Sequence, residues 1–301
     1  MLKDDIIKDA IPPSPVTEEE AAMPLYKYFT RPLRPLTPLY SQTIRNGPFD
    51  RAHAGPTDDL TRHLLMPGEY EAVSLGYCQH PEGGGFFKHY SFYPGAGHDM
   101  IKWYYTWINI PVKGQPEGLG NMKYKIWCPA GHFTHAFING TDNRNGVLTQ
   151  ESHGLGQHPG TPYDEPFLSV RYPFDIAEFG MTKVRRRELE DAGCWIDPAV
   201  IKYYEPEDYW EKGVLTEKLG TSIVIGLSRP APGGVEKLSV GWVGWDIRDR
   251  KAVRNPATPW WKTKNDWLEM FLTHSSIEAQ HLADILPELY AEYADKPVDA
   301  D

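Results

Sequence analysis

The sequence predicts an α+β fold in which an antiparallel sheet wraps around one long C-terminal helix. Strand-like segments, each bounded by Gly, Pro or His-Pro, occupy 69–78, 85–93, 100–110 and 122–128, and again 166–172, 222–228 and 238–247. The last long segment, about 264–293, instead repeats its apolar residues at spacings of three and four. Strands grouped ahead of a final helix, with one helical stretch near 183–192 between the two strand sets, argue against alternating βαβ units.

The chain divides by texture. Residues 1–67 form a Pro-rich N-terminal arm or small domain, whose prolines remove backbone donors and forbid long regular elements. One short helix is expected at Asp58 to Leu65, after Gly55-Pro56. Residues 68–301 are expected to form the main domain. In its fourth strand, Met122, Tyr124, Ile126 and Cys128 fall on one side. Gly83-Gly84-Gly85 precedes a strand with no Lys-Ser/Thr after it, which suits a hairpin loop and not a phosphate cradle. In the terminal helix, Asn265 is the expected N-cap and Trp267, Phe271, His274, Glu278, His281, Leu282 and Ile285 share the face toward the sheet. Pro287 is expected to kink or split that helix.

Composition excludes several classes. The chain has 301 residues, 41% hydrophobic and 24% charged, which is ordinary for a globular protein. Its formal charge of -10 and its one basic run, Lys183 to Arg187, offset at once by Glu188, Glu190 and Asp191, argue against nucleic-acid binding. No window approaches 18 uninterrupted apolar residues and no signal-peptide pattern opens the chain, so a cytoplasmic protein without a membrane span is expected. Cys78, Cys128 and Cys194 fit no disulfide framework, and the Asn139-Gly140-Thr141 sequon is then idle.

His274-x-x-x-Glu278 places an imidazole and a carboxylate one turn apart on the inward helix face, so that one helix can give two ligands to one metal. Further ligands would come from His132 or His135, in the segment after Trp127, and from Asp164 or Glu165. Such nitrogen and oxygen donors favour zinc or another first-row divalent ion. The aromatic content of 13% fits either a cavity for an aromatic or polyketide-like ligand or simply large packed cores. No GxSxG elbow and no HExxH motif is present.

Tyr124-x-Ile126-Trp127-x-Pro129-x-x-His132, the downstream Asp164-Glu165, and His274-x-x-x-Glu278 running on to Leu286-Pro287 together resemble the 2,4-diacetylphloroglucinol hydrolase and phloretin hydrolase family. That resemblance spans the chain from about residue 65 and implies a helix-grip fold like that of the birch-pollen allergens, with a smaller N-terminal part used in homodimer contacts. It implies Zn2+ held by His132, Glu165, His274 and Glu278, with Tyr124 bonding a phenolic substrate. The implied reaction is hydrolysis of the carbon–carbon bond between a phenolic ring and an acyl group. Two positions depart from the family pattern: Gly226 stands where a catalytic histidine is expected, and His135 where an Asn is. His135 is then the candidate for proton transfer. The alternatives are a cyclase, isomerase or dehydratase using the same metal pocket, or a non-catalytic binder of hydrophobic ligands.

Overall fold

A computed structural model describes residues 9–113, 121–138, 146–158, 160–161, 163–205, 215 and 220–300, so the sequon at 139–141 lies outside the described residues. Eight strands form one antiparallel sheet: β1 (Gly76–Gln79), β2 (Gly85–Pro94), β3 (His132–Phe137), β4 (Val147–Glu151), β5 (Phe167–Pro173), β6 (Trp195–Tyr204), β7 (Thr221–Ala231) and β8 (Gly234–Val243). Their order across the sheet is β1-β2-β8-β7-β6-β5-β4-β3, and β9 (Trp245–Arg248) pairs with β10 (Lys251–Arg254) as a separate ribbon. The β7–β8 hairpin turns at Pro232 and Gly233: proline presets the first turn φ, and glycine takes the positive φ of 81° required next.

Among the described residues the α-helices, in chain order, are α1 (Glu18–Ala21), α2 (Tyr26–Phe29), α3 (Pro38–Asn46), α4 (His98–Trp107), α5 (Met122–Lys125), α6 (Lys183–Asp191) and α7 (Asn265–Tyr293). The long helix α7 packs against β1 and β2 and buries Trp267, His274, Leu282 and Ile285. The N-terminal segment covers another side of α7. Leu25, Tyr28 and Phe29 join Ile285, Leu286 and Leu289 in one core cluster. Around it, Arg34, Arg31 and Lys27 pair with Asp284, Glu288 and Glu292, acids spaced one helical turn apart, at 2.5 Å each. These ion pairs are exposed and individually weak, so burial of the apolar residues beneath them provides most of the attachment.

Several expected elements differ. The segment expected as a strand over 100–110 is helix α4, because Ile101, Tyr104, Trp107 and Ile108 are its buried residues and their spacing is helical. The aromatic composition of Trp103 to Trp107 imitates a strand, yet Trp103 packs on Tyr290 at 5.3 Å and Trp107 on Tyr293 at 5.6 Å, along α7. The segment 122–128 is not a strand either. Met122 to Lys125 form one helical turn capped by Asn121, and all four residues are buried, so alternation carried no information about faces. Only Gly76 to Cys78 of the expected 69–78 strand is paired, and Leu60 to His63 form turns in place of a helix. Helix α7 is capped by Lys264, without a side-chain bond, and runs unbroken through Pro287. Among the described residues no helix is long and apolar enough to cross a membrane.

Candidate metal centre and active-site cavity

The register of the β3–β4 pair builds the centre. His132 lies directly opposite Glu151, and a bulge at Phe133 follows before Thr134 pairs with Gln150. In a regular strand, residues three apart point to opposite faces; the extra residue brings His132 and His135 to the same face. The Tyr124 ring confirms this, stacking on His132 at 3.9 Å and on His135 at 4.7 Å. Helix α7 brings His274 and Glu278 against this hairpin.

The donor atoms converge closely. His132 Nε2 lies 3.1 Å from Glu278 Oε2, 3.2 Å from His274 Nε2 and 3.7 Å from Glu151 Oε2. His274 Nε2 is 3.5 Å from Glu278 Oε2. The same Glu151 Oε2 accepts from Tyr124 Oη at 2.6 Å, and the other oxygen, Oε1, pairs with His153 Nε2 at 3.3 Å. The groupings Cys128, His132, His274 and Glu151, His153, His274 each bring three donor atoms within 4.8 Å of one another. His274 belongs to both. Cys128 is a poor donor, because burial and the nearby Glu278 charge push its thiol well above its ordinary range.

Burial alone would raise the pKa of both carboxyls, but the adjacent imidazoles outweigh it. Bonds from His132 and His274 bring Glu278 down to about 2, and the His153 bond with the charges of His132 and His274 holds Glu151 far below the usual carboxylate range. Both acids are therefore anionic at neutral pH. His274 Nδ1 is buried without a hydrogen-bond partner among the described residues, and the backbone of Gly131 passes directly beside that ring. A Cβ at Gly131 would stand 2.7 Å from the Ser152 carbonyl and 2.9 Å from His274 Cε1, so only glycine fits.

Of the residues anticipated from sequence, His132, His274, Glu278, Tyr124 and His135 come together, and Glu165 does not. Glu165 is exposed in the segment ahead of β5 and makes no hydrogen bond or ion pair with the cluster. The acid that stands beside Glu278 in the cluster, facing His132 at 3.7 Å, is Glu151. Asp164 has another task, accepting from the Gly156 and His158 amides at 3.0 and 2.5 Å to brace its own loop. His135 is pinned at both nitrogens, with Nε2 2.8 Å from Asn109 Oδ1 and Nδ1 3.0 Å from Thr149 Oγ1. The amide oxygen can only accept, so Nε2 carries the proton and Nδ1 accepts from Thr149. Burial, then the neighbouring His132, pushes the ring down to about 3, making His135 a fixed neutral wall.

The cluster opens into a cavity of about 660 Å³, lined by Tyr105, Tyr124, Trp127, Trp195 and Phe271 among other residues. His153, Arg171, Asp197 and Lys237, which the sequence did not single out, also line it. They come from β5, β6, β8 and the loop after β4, and only the sheet order unites them.

Paired histidines and carboxylates converging on one edge of an aromatic-lined cavity define a protein with residues that could hold a cation beside a small organic ligand. The profile of the DAPG hydrolase PhiG domain matches residues 56–165 and 210–291, and the chain belongs to that family. It is 25% identical to a phloretin hydrolase of Eubacterium ramulus over 93% of this chain and 94% of that protein. It is 23% identical to a 2,4-diacetylphloroglucinol hydrolase of a Pseudomonas species, covering 90% of this chain and 88% of the relative. Among solved structures, protein Ms6760 of Mycobacterium smegmatis is similar at a TM-score of 0.34 and 10% identity, over 70% of this chain and 92% of that one. A hypothetical protein of Helicobacter pylori is similar at 0.35 and 8% identity, over 72% and 98%.

Proposed function

We propose that the protein is a zinc-dependent hydrolase that cleaves the bond between a phenolic ring and an acyl carbon, and that its sheet and α7 form a helix-grip cavity for an acylphloroglucinol-like substrate. The observation that carries this is the spacing of the four donors. A tetrahedral zinc with bonds of about 2.0–2.1 Å needs donors about 3.3–3.4 Å apart. Three separations among His132, His274 and Glu278 run from 3.1 to 3.5 Å, and Glu151 joins them at 3.7 Å from His132. Two anionic acids among buried imidazoles also supply the charge that a dication requires.

A divalent metal held by these residues would, where it takes a further ligand beyond the four donors, supply Lewis-acid polarisation of an acyl carbonyl and lower the pKa of a bound water toward about 7. The chain's own residues do the rest. His153 holds Glu151 by one carboxylate oxygen, orienting it as a partner outside the ligand set does. Tyr124 keeps its proton, because burial and the Glu151 charge raise its pKa well above the ordinary value, and its hydroxyl, which donates that proton to Glu151, can accept a hydrogen bond from a phenolic O–H. His135 acts as a positioning residue, holding the Tyr124 ring from the side. Trp127, Trp195 and Phe271 exclude water from around an aromatic ring. Overall the acyl carbon gains the hydroxyl of one water and the ring carbon gains its proton.

Hydrolysis of an acylphloroglucinol by zinc-reconstituted protein in oxygen-18 water tests this. One labelled oxygen in the released acid is expected. A product that retains every carbon of the substrate would instead favour a cyclase or isomerase, for which the unfunctionalised position Gly226 in the cavity wall is the motive.

A further inference from the structure

Lys237 stands in the cavity wall without an ion-pair partner among the described residues. It stands on β8, opposite Ser91 of β2 and Ser228 of β7. Its Nζ donates to Tyr105 Oη at 2.5 Å and lies 3.9 Å from the Tyr105 ring centre. No carboxylate lies within ion-pair distance of it among the described residues. Asp197 lines the same wall, but Arg171 Nη2 holds it at 2.9 Å. An ammonium has three donors, and two of these are left without a partner among the described residues.

Gly226 keeps this part of the wall open. A Cβ there would meet Asp197 at 3.6 Å and Lys237 Cε only at 4.0 Å. Two aromatic rings link the ammonium to the metal centre: Tyr105 packs on Trp127 at 5.3 Å, and Trp127 packs on His132 at 5.1 Å. Lys237 lines the same cavity as Glu151, His274 and Glu278, so one ligand in it has access to both. Desolvation disfavours an unpaired ammonium beside aromatic walls, and a ligand anion relieves that cost. Burial lowers Lys237 to about 8 against the opposing pull of Asp197 and Glu278, so it is still mainly cationic at neutral pH.

We propose that Lys237, held by Tyr105, forms a subsite for an anionic oxygen of the substrate, a ring phenolate, and so selects hydroxylated aryl ketones in their ionised form. The proposal deepens the aryl-ketone reading and rests on it for the identity of the ring. Lys237 is a binding and positioning residue here, and no bond to it is formed or broken.

The test uses 4-nitrophenol, whose ionised form has its own visible absorption, on chelator-treated protein so that no metal can ionise the probe. Wild-type protein is expected to lower the bound probe's ionisation midpoint by about one pH unit and to bind it about tenfold more tightly than K237M does. K237R should keep most of both effects. Circular dichroism and zinc affinity of K237M show whether its fold and metal centre are intact. An unchanged midpoint and affinity in folded K237M, or no saturable binding of the probe to wild type, would overturn the subsite. A midpoint shift in a protein that hydrolyses no aryl ketone leaves the subsite and removes the reaction, whereas turnover without the shift does the reverse.

Discussion

Replacing Glu151 by Gln keeps the shape of the side chain but removes the anion that faces His132 at 3.7 Å and accepts from Tyr124 at 2.6 Å. With two imidazoles and two carboxylates, the four donors exactly balance the charge of a divalent ion; the amide leaves that balance one unit positive in a site whose His132 and His274 side chains are 0% and 2% exposed. Removing an outer-shell partner of a metal site costs about 10- to 100-fold in affinity. Loss of a direct ligand should therefore weaken zinc binding by at least about 100-fold, or roughly 2.7 kcal/mol. Glu165, anticipated from sequence in the same role, is exposed and outside the cluster. E165Q should stay within about twofold of wild type, the range of an ordinary surface substitution. Zinc titration in competition with a chromogenic chelator measures both variants. If E165Q weakened binding and E151Q did not, the placement of Glu151 at the centre would be wrong.

Two further perturbations probe the scaffold. Gly131→Ala should cost about 1–3 kcal/mol in urea unfolding, as overpacking does, because the new methyl has only the Ser152 carbonyl and the His274 ring to displace. The same variant should weaken zinc binding about tenfold through the displaced ligand, and wild-type values in both assays would refute the contact. His281 lies buried on α7 beside Asp284, Arg31 and Arg34, and burial lowers it to about 4. Its unfolded value is near 6.5, so the unfolded state binds the extra proton between those limits. Its contribution is present in full above about pH 6.5 and is lost as pH falls toward 4, at up to about 1.4 kcal/mol per pH unit. H281Q should flatten the pH dependence of metal-free stability over that window, and an unchanged slope would show that His281 titrates normally in the folded protein.

The sequence made the helix side of the site readable and left the sheet side obscure. His274 and Glu278 are one turn apart in a segment whose apolar residues recur at helical spacing, so one local periodicity fixes both. His132 stands close behind Tyr124 and Trp127, and its position also follows from nearby residues. Glu151 could not be found this way. Its place beside His132 depends on the register of a hairpin and on a bulge at Phe133, which are non-local properties. His135 shares the face of His132 for the same reason. Strand β6 escaped notice because Asp197-Pro198 interrupts its pattern, although Pro198 pairs with Ile225 in the sheet. Helix α4 was disguised by aromatics that favour strands in general but here pack along α7. Gly131 carried no sequence signal, since the need for a missing Cβ appears only once His274 stands beside it.

Anomalous diffraction from zinc-reconstituted crystals, recorded on either side of the zinc absorption edge, tests the metal centre most directly. The account predicts one strong peak per chain, about 2.0–2.2 Å from His132 Nε2, His274 Nε2 and oxygens of Glu151 and Glu278. A peak ligated by Glu165, or no peak between the β3–β4 hairpin and α7, would contradict it.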